Sequence, residues 1–296
     1  MVSMPKIAIF ANPKARSSGS WSSCRQLLEQ DSALQIFLLG EAKLEDQIME
    51  AWEGGCTTVV AAGGDGTISS IVDALLRLQI PAKLGVLPIG TFNHFAKDLA
   101  IPTDIEAALR IVKAGHTTLI DIAKVNDRHF INNSSIGLYS YIVKERESLE
   151  HKGLHKWVAL FSVLVGLSTR HFAYDVRFGA LESASRKKIS NIFIGNNIYT
   201  IEGPRAGTRA RLSEGKLFVA ILNSMHGFEM VRFLYKSIIK AALADKDLNV
   251  VGLAECVIES NKKTIRVAYD GETMMMVPPL RYTILPKVLS VIVPMA

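Results

Sequence analysis

The sequence predicts an α/β plus β fold, in which an α/β domain with a parallel sheet precedes an antiparallel β domain. In the first half of the chain, short apolar runs alternate with helical patterns, as in a parallel sheet covered by helices on both faces. Beyond Thr118, strand-like segments follow one another and are separated by turns such as Asn126-Asp127. The chain has 296 residues, 49% of them hydrophobic, which is enough for two cores. We therefore assign residues 1–124 to the α/β domain and residues 125–296 to the β domain.

The elements of the α/β domain follow from runs of apolar residues and from their helical spacing. The predicted strands are Lys6–Phe10, Leu34–Leu39, a run that begins at Thr57, and Leu84–Pro88. The predicted helices lie near Trp21–Gln30, over Leu44–Trp52, from Ile68 onward, after Asn93 and over Ile105–Lys113. Thr103 and Glu106 form the pattern of a capping box for the last of these helices, and Gly115 is typical of its C-terminal end.

The second half of the chain predicts a β domain, because short β-rich segments alternate there with turn residues. The predicted strands are Thr118–Val125, His129–Asn132, Tyr174–Phe178, Ile189–Ile194, Lys216–Leu222, Ala254–Ser260 and Thr264–Tyr269. Two helical patterns, Tyr141–Leu167 and Phe228–Ala244, interrupt these strands.

A glycine-rich turn joins the strand that begins at Thr57 to its helix. The turn reads Gly63-Gly64-Asp65-Gly66-Thr67, and the helix behind it has apolar residues at helical spacing: Ile68, Ile71, Val72, Leu75 and Leu76. Glycine lets a bulky anion approach peptide N–H groups, and a helix N-terminus adds a positive dipole end. We expect a phosphate-binding loop here; a tight surface turn of the same composition is the alternative.

A second turn of small residues follows the next predicted strand. After Leu84–Pro88 the chain reads Ile89-Gly90-Thr91-Phe92-Asn93. Because parallel strands end at a common edge of their sheet, we expect both turns at the edge where open α/β sheets bind ligands. Thr67, Thr91 and Asn93 offer hydroxyl or amide groups at that edge.

Together, the motifs Gly63–Thr67 and Leu87–Asn93 resemble those of the diacylglycerol kinase catalytic-domain family, and most of all its soluble bacterial lipid kinases. This family is related to sphingosine kinases and more distantly to NAD kinases. The first motif also occurs in NAD kinases and phosphofructokinases, whereas the two motifs together are specific. The resemblance implies a Rossmann-like first domain, an antiparallel β-sandwich second domain, and ATP and Mg²⁺ as cofactors. It also implies a last strand, near Val288–Val293, that packs toward the first domain.

The resemblance assigns site residues as well. The nucleotide-binding positions are Asn12, Gly63, Gly64, Asp65, Gly66, Thr67, Gly90, Thr91 and Asn93. Asp65 and Asp121 are assigned to a Mg²⁺–water network, and Glu214 takes the place of an acid at a structural Mg²⁺ site. Relatives often have an aspartate at His94 and a second acid at Ser213, and carboxylates suit Mg²⁺ better than either residue found here.

The turn Tyr269-Asp270-Gly271-Glu272 follows a predicted strand and carries two acids. Either acid could accept the proton of a substrate hydroxyl, and an acidic hairpin turn without catalytic function is the alternative. The resemblance assigns a proton acceptor to this turn, and we favour Glu272 over Asp270 as the catalytic base. Asp65 is the third residue that the resemblance assigns to catalysis.

The charge of the chain bears on its partners. A net charge of +6 suits an anionic partner. The basic residues of the second half include Arg186, Lys187, Lys188, Arg205, Arg209, Arg211, Lys262, Lys263 and Arg266. No aromatic residues interleave with them and no nucleic-acid motif is present, so they favour a membrane surface over nucleic acid. The resemblance also leaves a homodimer open.

Three features predict a cytoplasmic protein that associates with membranes only transiently. The chain has three scattered cysteines without metal or disulfide spacing. Its start lacks the pattern of a signal peptide, and its longest apolar stretch, Trp157–Leu167, is too short to span a bilayer.

We therefore expect an ATP- and Mg²⁺-dependent lipid kinase that transfers the γ-phosphate to the hydroxyl of a diacylglycerol-like lipid and yields phosphatidic acid or an analogue. Two alternatives stay open: an NAD or small-polyol kinase, and a lipid- or nucleotide-binding regulator without turnover. Three residues keep the regulator alternative open, namely His94, Ser213 and Gly40. Several relatives have a threonine at the position of Gly40.

Overall fold

The computed structural model of the chain describes residues 6–13, 25–137, 140, 174–178, 185–200, 207–223 and 248–295. The described strands form two sheets, one mixed and one antiparallel, which confirms the predicted fold class. The predicted helical patterns over Tyr141–Leu167 and Phe228–Ala244 lie outside the described residues. Among the described helices, none combines the length and the apolar character that crossing a bilayer requires.

The first sheet contains four adjacent parallel strands in the order β2-β1-β3-β4. The elements of this part are β1 (Lys6–Ala11), α1 (described over residues 25–29), β2 (Leu34–Leu38), α2 (Leu44–Glu53), β3 (Cys56–Gly63), α3 (Asp65–Arg77), β4 (Lys83–Pro88), α4 (His94–Asp98), α5 (Ile105–Ala114) and β5 (Thr117–Val125). The alternation of strands and helices predicted for this half is confirmed.

Helix α3 packs its apolar face on the first sheet. Ile68, Ile71, Val72 and Leu75 are at most 1% exposed, and their spacing is the one that predicted the helix. Burying an apolar side chain of this size contributes about 1.5–3 kcal/mol relative to leaving it exposed. This packing fixes the start of α3, and with it the glycine turn, at the carboxyl edge of the sheet.

In the second sheet every described strand pair is antiparallel, and the order is β11-β10-β9-β7-β13-β14 with β8 beside β9. The remaining strands of the chain are β6 (Arg128–Phe130), β7 (Asn133–Gly137), β8 (Tyr174–Phe178), β9 (Ser185–Asn196), β10 (Leu217–Asn223), β11 (Leu248–Leu253), β12 (Glu255–Ile258), β13 (Ile265–Tyr269), β14 (Glu272–Met276) and β15 (Leu280–Ile292). Buried side chains such as Ile192, Val219 and Val267 form a second core beneath this sheet.

The last strand, β15, lies in the first sheet. It pairs with β5 in antiparallel orientation, and its Val291 pairs in parallel with Leu84 of β4. Strands β6 and β12 join the same sheet through β5 and β15. Three strands from residues 125–296 therefore complete the first sheet, so a single cut after residue 124 does not separate the two sheets.

Two local predictions need correction. The N-cap of α5 is Asp104, whose Oδ1 accepts the Ala107 N–H at 2.8 Å, and not Thr103. Of the strand predicted over His129–Asn132, only His129 and Phe130 lie in a strand, β6; residues 131 and 132 form a bend before β7, because the N–H groups of residues 131–133 turn toward the Asp270 carboxylate. Gly115 ends α5 in the left-handed conformation, as predicted, with φ of 69°.

Candidate active site

The glycine turn after β3 lies where the strand order of the first sheet reverses. Strand β1 has β2 on one side and β3 on the other, so Asn12 and Gly63 border the crevice where open α/β sheets bind ligands. The two segments are in contact, since Asn12 Nδ2 donates a hydrogen bond to Thr67 Oγ1 at 3.3 Å. The structure thus brings together the predicted nucleotide-side residues that follow β1 and β3.

The packing of Thr67 requires glycine at position 63. A Cβ on Gly63 would lie 2.4 Å from the Thr67 side chain, which is itself buried. Gly64 is the N-cap of α3 and has no side chain that could bind the first N–H groups of the helix. Unpaired N–H groups at a helix N-terminus favour an anion. The loop therefore has the donors and the dipole direction that a phosphate needs.

The second glycine turn contacts the first. A Cβ on Gly90 would lie 2.3 Å from the Gly64 Cα, so only glycine permits this approach. Asn93 has a left-handed backbone, and its buried amide closes the turn by donating to the carbonyls of Pro88 and Gly90 and by accepting the Gly90 N–H. Asn93 therefore shapes the turn, whereas Thr91 is exposed at the rim.

Asp65 fastens the two turns to each other. Its carboxylate accepts the backbone N–H groups of His94 at 3.0 Å and Phe95 at 2.9 Å, which are the first N–H groups of α4. A carboxylate at a helix N-terminus is stabilised by these donors and by the helix dipole. The residue predicted for the Mg²⁺ network thus also caps a helix from another loop, a contact that the sequence did not predict.

Asp270 and Glu272 belong to the hairpin between β13 and β14. Tyr269 pairs with Glu272 across the hairpin, and the two turn residues have positive φ, 45° at Asp270 and 91° at Gly271. This is the geometry of a type I′ turn, for which Asp-Gly is a preferred sequence. Glu272 is exposed at the start of β14, whereas Asp270 is half-buried.

The Asp270 carboxylate accepts four hydrogen bonds. Ser69 Oγ donates at 2.6 Å, and the N–H groups of residues 131–133 donate at 2.7, 2.9 and 3.1 Å. Burial raises the pKa of Asp270, and the four donors oppose that rise. These bonds fix the orientation of the carboxylate and tie α3 to the segment before β7. Asp270 is therefore an anchor of the hairpin, and the geometry favours Glu272 as the acid that meets a substrate.

A cavity of about 180 Å³ connects the glycine turn with this hairpin. Its lining residues come from α2, α3, β6 and the β13–β14 hairpin: Leu44, Glu45, Gly66, Ser69, Ser70, Asp73, Arg77, Arg128, His129, Tyr269, Asp270 and Glu272. Gly66 of the predicted phosphate loop and Glu272 thus border the same space. Burial raises the pKa of Tyr269 and the negative charge of Glu272 adds to the rise, so the phenol stays neutral.

Asp73, in the cavity wall, is the centre of a charged cluster that was not predicted from the sequence. Its Oδ1 accepts the His129 N–H at 2.9 Å and lies 3.0 Å from His129 Nδ1. Its Oδ2 accepts from Arg77 Nε at 3.0 Å and from Arg128 Nη1 at 3.2 Å. Burial opposes ionisation of Asp73, but the bonds from His129 and the charge of Arg77 prevail and lower its pKa to about 2. The i, i+4 spacing of Asp73 and Arg77 on α3 was the available signal.

The structure does not gather the predicted metal residues into a cluster. Asp121 is fully buried, and its two oxygens accept the N–H groups of Gly215 at 2.7 Å and Lys287 at 2.8 Å. The Glu214 side chain is exposed. Across the part of the chain that the structure describes, no three His, Cys, Asp or Glu side chains lie close enough together to hold a metal ion. Mg²⁺ is commonly held by one or two carboxylates together with substrate phosphates, and Asp65 beside the phosphate loop fits that arrangement.

Known proteins are similar in sequence to the part of the chain that contains the two glycine turns. Residues 6–125 match the family described as the diacylglycerol kinase catalytic domain. A diacylglycerol kinase from Staphylococcus aureus strain JH9 is 38% identical over 119 residues, which make up 40% of this chain and 37% of that protein. The diacylglycerol kinase of strain Newman gives the same figures. The matched stretch therefore spans 37% of the length of these relatives.

Solved structures extend the likeness to the whole fold. The crystal structure of a diacylglycerol kinase from Bacillus anthracis strain Sterne has a TM-score of 0.67 at 18% identity and covers 99% of this chain and 98% of that chain. A second structure from the same organism has a TM-score of 0.71 at 20% identity, with 99% of each chain covered. The predicted resemblance is confirmed: residues 6–125 match the diacylglycerol kinase catalytic domain, and the fold is similar to that of these bacterial proteins.

Proposed function

We propose that the protein is an ATP- and Mg²⁺-dependent lipid kinase that transfers the γ-phosphoryl group to the hydroxyl of a diacylglycerol-like lipid and forms phosphatidic acid or an analogue. The observation that carries the proposal is the shared cavity, which Gly66 of the phosphate loop and Glu272 of the hairpin both line. Phosphoryl transfer needs a phosphate cradle and a group that positions the acceptor hydroxyl and takes its proton. The family match and the relatives named diacylglycerol kinase support this reaction class.

Each part of the reaction has a candidate residue. The N–H groups at the start of α3 bind the nucleotide phosphates, beside the Asn12–Thr67 contact. Asp65 would hold Mg²⁺ together with the nucleotide phosphates, and the ion would neutralise the charge that develops on the transferred group. Asp65 begins α3 directly after the glycines of the loop, and its carboxylate has lone pairs beyond those that the α4 N–H groups occupy. Glu272 accepts the hydroxyl proton of the lipid, and Asp270 holds the hairpin in place.

The charge of the cavity favours an acceptor without negative charge. Its charged residues, apart from His129, are the acids Glu45, Asp73, Asp270 and Glu272 and the bases Arg77 and Arg128. Both arginines are paired with Asp73, and Arg77 also binds Glu45. The negative charge that these arginines do not offset would repel an anionic acceptor such as NAD, whereas it would not repel a neutral diacylglycerol. This balance supports a neutral lipid over the NAD kinase alternative.

A lipid acceptor requires the enzyme to meet a membrane surface, and we include peripheral, transient binding and a cytoplasmic location in the proposal. Phe92, in the second glycine turn, is 63% exposed and supplies an apolar side chain beside the candidate site. An aromatic ring of this kind is suited to the boundary between water and acyl chains.

The test is the transfer of labelled γ-phosphate from ATP–Mg²⁺ into vesicles that contain diacylglycerol. Glu272→Gln removes the base and keeps its shape, and Glu255→Gln is the matched control, since Glu255 is also an exposed glutamate at the start of a strand. We expect label in phosphatidic acid with the unmodified chain and with E255Q, and a rate about 10²–10⁴-fold lower with E272Q at unchanged ADP affinity. Label in a soluble acceptor, or ATP binding without any transfer, would refute the proposal.

A further inference from the structure

Arg209, one of the basic residues expected at a membrane surface, is instead buried against the end of α4 and the segment before β7. It is 3% exposed, and its guanidinium uses all of its nitrogens. Nε and Nη2 bind Asp98 Oδ2 at 2.8 and 2.7 Å. Nη1 donates to the carbonyls of Ile131 at 2.6 Å and Asn196 at 3.1 Å, and Nη2 donates to Asn132 Oδ1 at 2.8 Å.

The partners of Arg209 belong to the two segments that hold the acids of the site. Asp98 is the last residue of α4, and the first N–H groups of α4 bind Asp65. Ile131 and Asn132 belong to the segment whose N–H groups bind Asp270, in the hairpin that carries Glu272. One buried guanidinium therefore contacts both α4, which Asp65 of the phosphate loop caps, and the segment that binds the hairpin through Asp270.

We propose that Arg209 is a positioning residue, which braces the phosphate loop against the Asp270–Glu272 hairpin and so sets the distance between the bound phosphates and the base. Its catalytic consequence rests on the proposed function; the brace itself does not. A misplacement of about 1 Å at a reacting group can cost on the order of 100-fold in rate.

The chemistry of the site explains why arginine stands at this position. A buried cation is costly unless a counter-charge and hydrogen-bond acceptors surround it, and Asp98 with three further oxygens supplies both. The planar fork of arginine can bind acceptors on several sides at once, whereas a lysine ammonium is a compact point charge. Lysine could therefore keep the pair with Asp98 but not all the bonds to residues 131, 132 and 196.

The test compares Arg209→Lys and Asp98→Asn with Leu109→Ala, a buried core residue of α5 whose truncation destabilises the fold away from the site. Backbone hydrogen exchange is measured for the amides of residues 94–95 and 131–132, together with kcat and the KM for ATP. With the two variants compared at equal global stability, we expect exchange at both segments to be at least about tenfold faster in R209K than in L109A. We expect kcat to fall about 100-fold while the KM for ATP changes less than about threefold.

Asp98→Asn tests the two sets of Arg209 contacts separately, because it weakens the bond to α4 and leaves the bonds to residues 131 and 132 in place. In D98N, faster hydrogen exchange should be confined to the amides of residues 94–95. Exchange in R209K that follows only global stability, as in L109A, would overturn the proposal, and so would an unchanged kcat in a folded R209K. If the unmodified chain transfers no phosphate to lipid, the proposed function fails, and the exchange pattern still decides whether Arg209 is the brace.

Discussion

The ionised Asp73 carboxylate should stabilise the folded chain at neutral pH and lose this contribution in acid. Its pKa falls from the ordinary 3.8 to about 2 in the folded protein, because the hydrogen bonds from His129 and the charge of Arg77 outweigh the opposing effect of burial. Each pH unit of this difference corresponds to about 1.4 kcal/mol. The predicted contribution of ionised Asp73 to the free energy of unfolding is therefore roughly 2–3 kcal/mol at neutral pH.

The sign of the pKa change fixes the pH window. Because the folded-state pKa of Asp73 is depressed, the unfolded chain takes up this proton first as the pH falls. The contribution is present above the ordinary pKa of 3.8 and disappears as the pH falls through about 2. Asp73 is largely buried, so solvent screens the interaction little.

Urea unfolding of Asp73→Asn between about pH 2.5 and pH 7 measures this contribution. The stability difference between the unmodified chain and D73N should be roughly 2–3 kcal/mol above about pH 5 and should shrink steadily below about pH 4. Glu106→Gln is the control, because Glu106 forms an exposed pair with Arg110 at 3.9 Å and should change stability by less than about 0.5 kcal/mol. A difference that is independent of pH, or absent at pH 7, would refute the assignment.

Three further tests by substitution address the loops and their supports. Gly63→Ala should weaken ADP binding at least about tenfold in calorimetry, because the new methyl group would lie 2.4 Å from Thr67; unchanged affinity would contradict the loop geometry. Asn93→Ala removes the three bonds that close the second glycine turn and should cost about 2–3 kcal/mol in urea unfolding, whereas a loss under about 0.5 kcal/mol would argue against that role. Asp104→Ala should cost about 1 kcal/mol by removing the N-cap of α5, and Thr103→Ala close to nothing; equal losses would restore Thr103 as the cap.

The sequence predicted those features whose causes are local along the chain. Helix α2 was predicted over Leu44–Trp52 and is found over Leu44–Glu53, and α5 was predicted over Ile105–Lys113 and is found over Ile105–Ala114. In both cases the apolar spacing within about ten residues decides the structure. The glycine turns were predictable for the same reason, because a strand end, a glycine and a helix start are adjacent in sequence.

The sequence did not predict contacts that join distant segments. The donors to Asp270 are at least 137 residues away in sequence, and Asp73 meets His129 across 56 residues. Most donors to Asp270 are backbone N–H groups, which every residue but proline carries, so no residue type marks them. Charge alone likewise does not separate a buried arginine from an exposed one, and Arg209 was assigned to the surface for that reason.

The structure also determines at which acid of the site a substitution can distinguish a catalytic role from a structural role. Asp65 caps α4 and Asp270 holds three backbone N–H groups, so removing either carboxylate leaves donors unpaired and moves a loop. Lost activity in Asp65→Asn or Asp270→Asn would follow from a catalytic role and from a structural role alike. Glu272 is exposed and begins a strand whose backbone pairing does not depend on its side chain. A rate lost in Glu272→Gln at unchanged stability and unchanged ADP affinity therefore assigns the base, whereas the same loss at Asp65 or Asp270 does not.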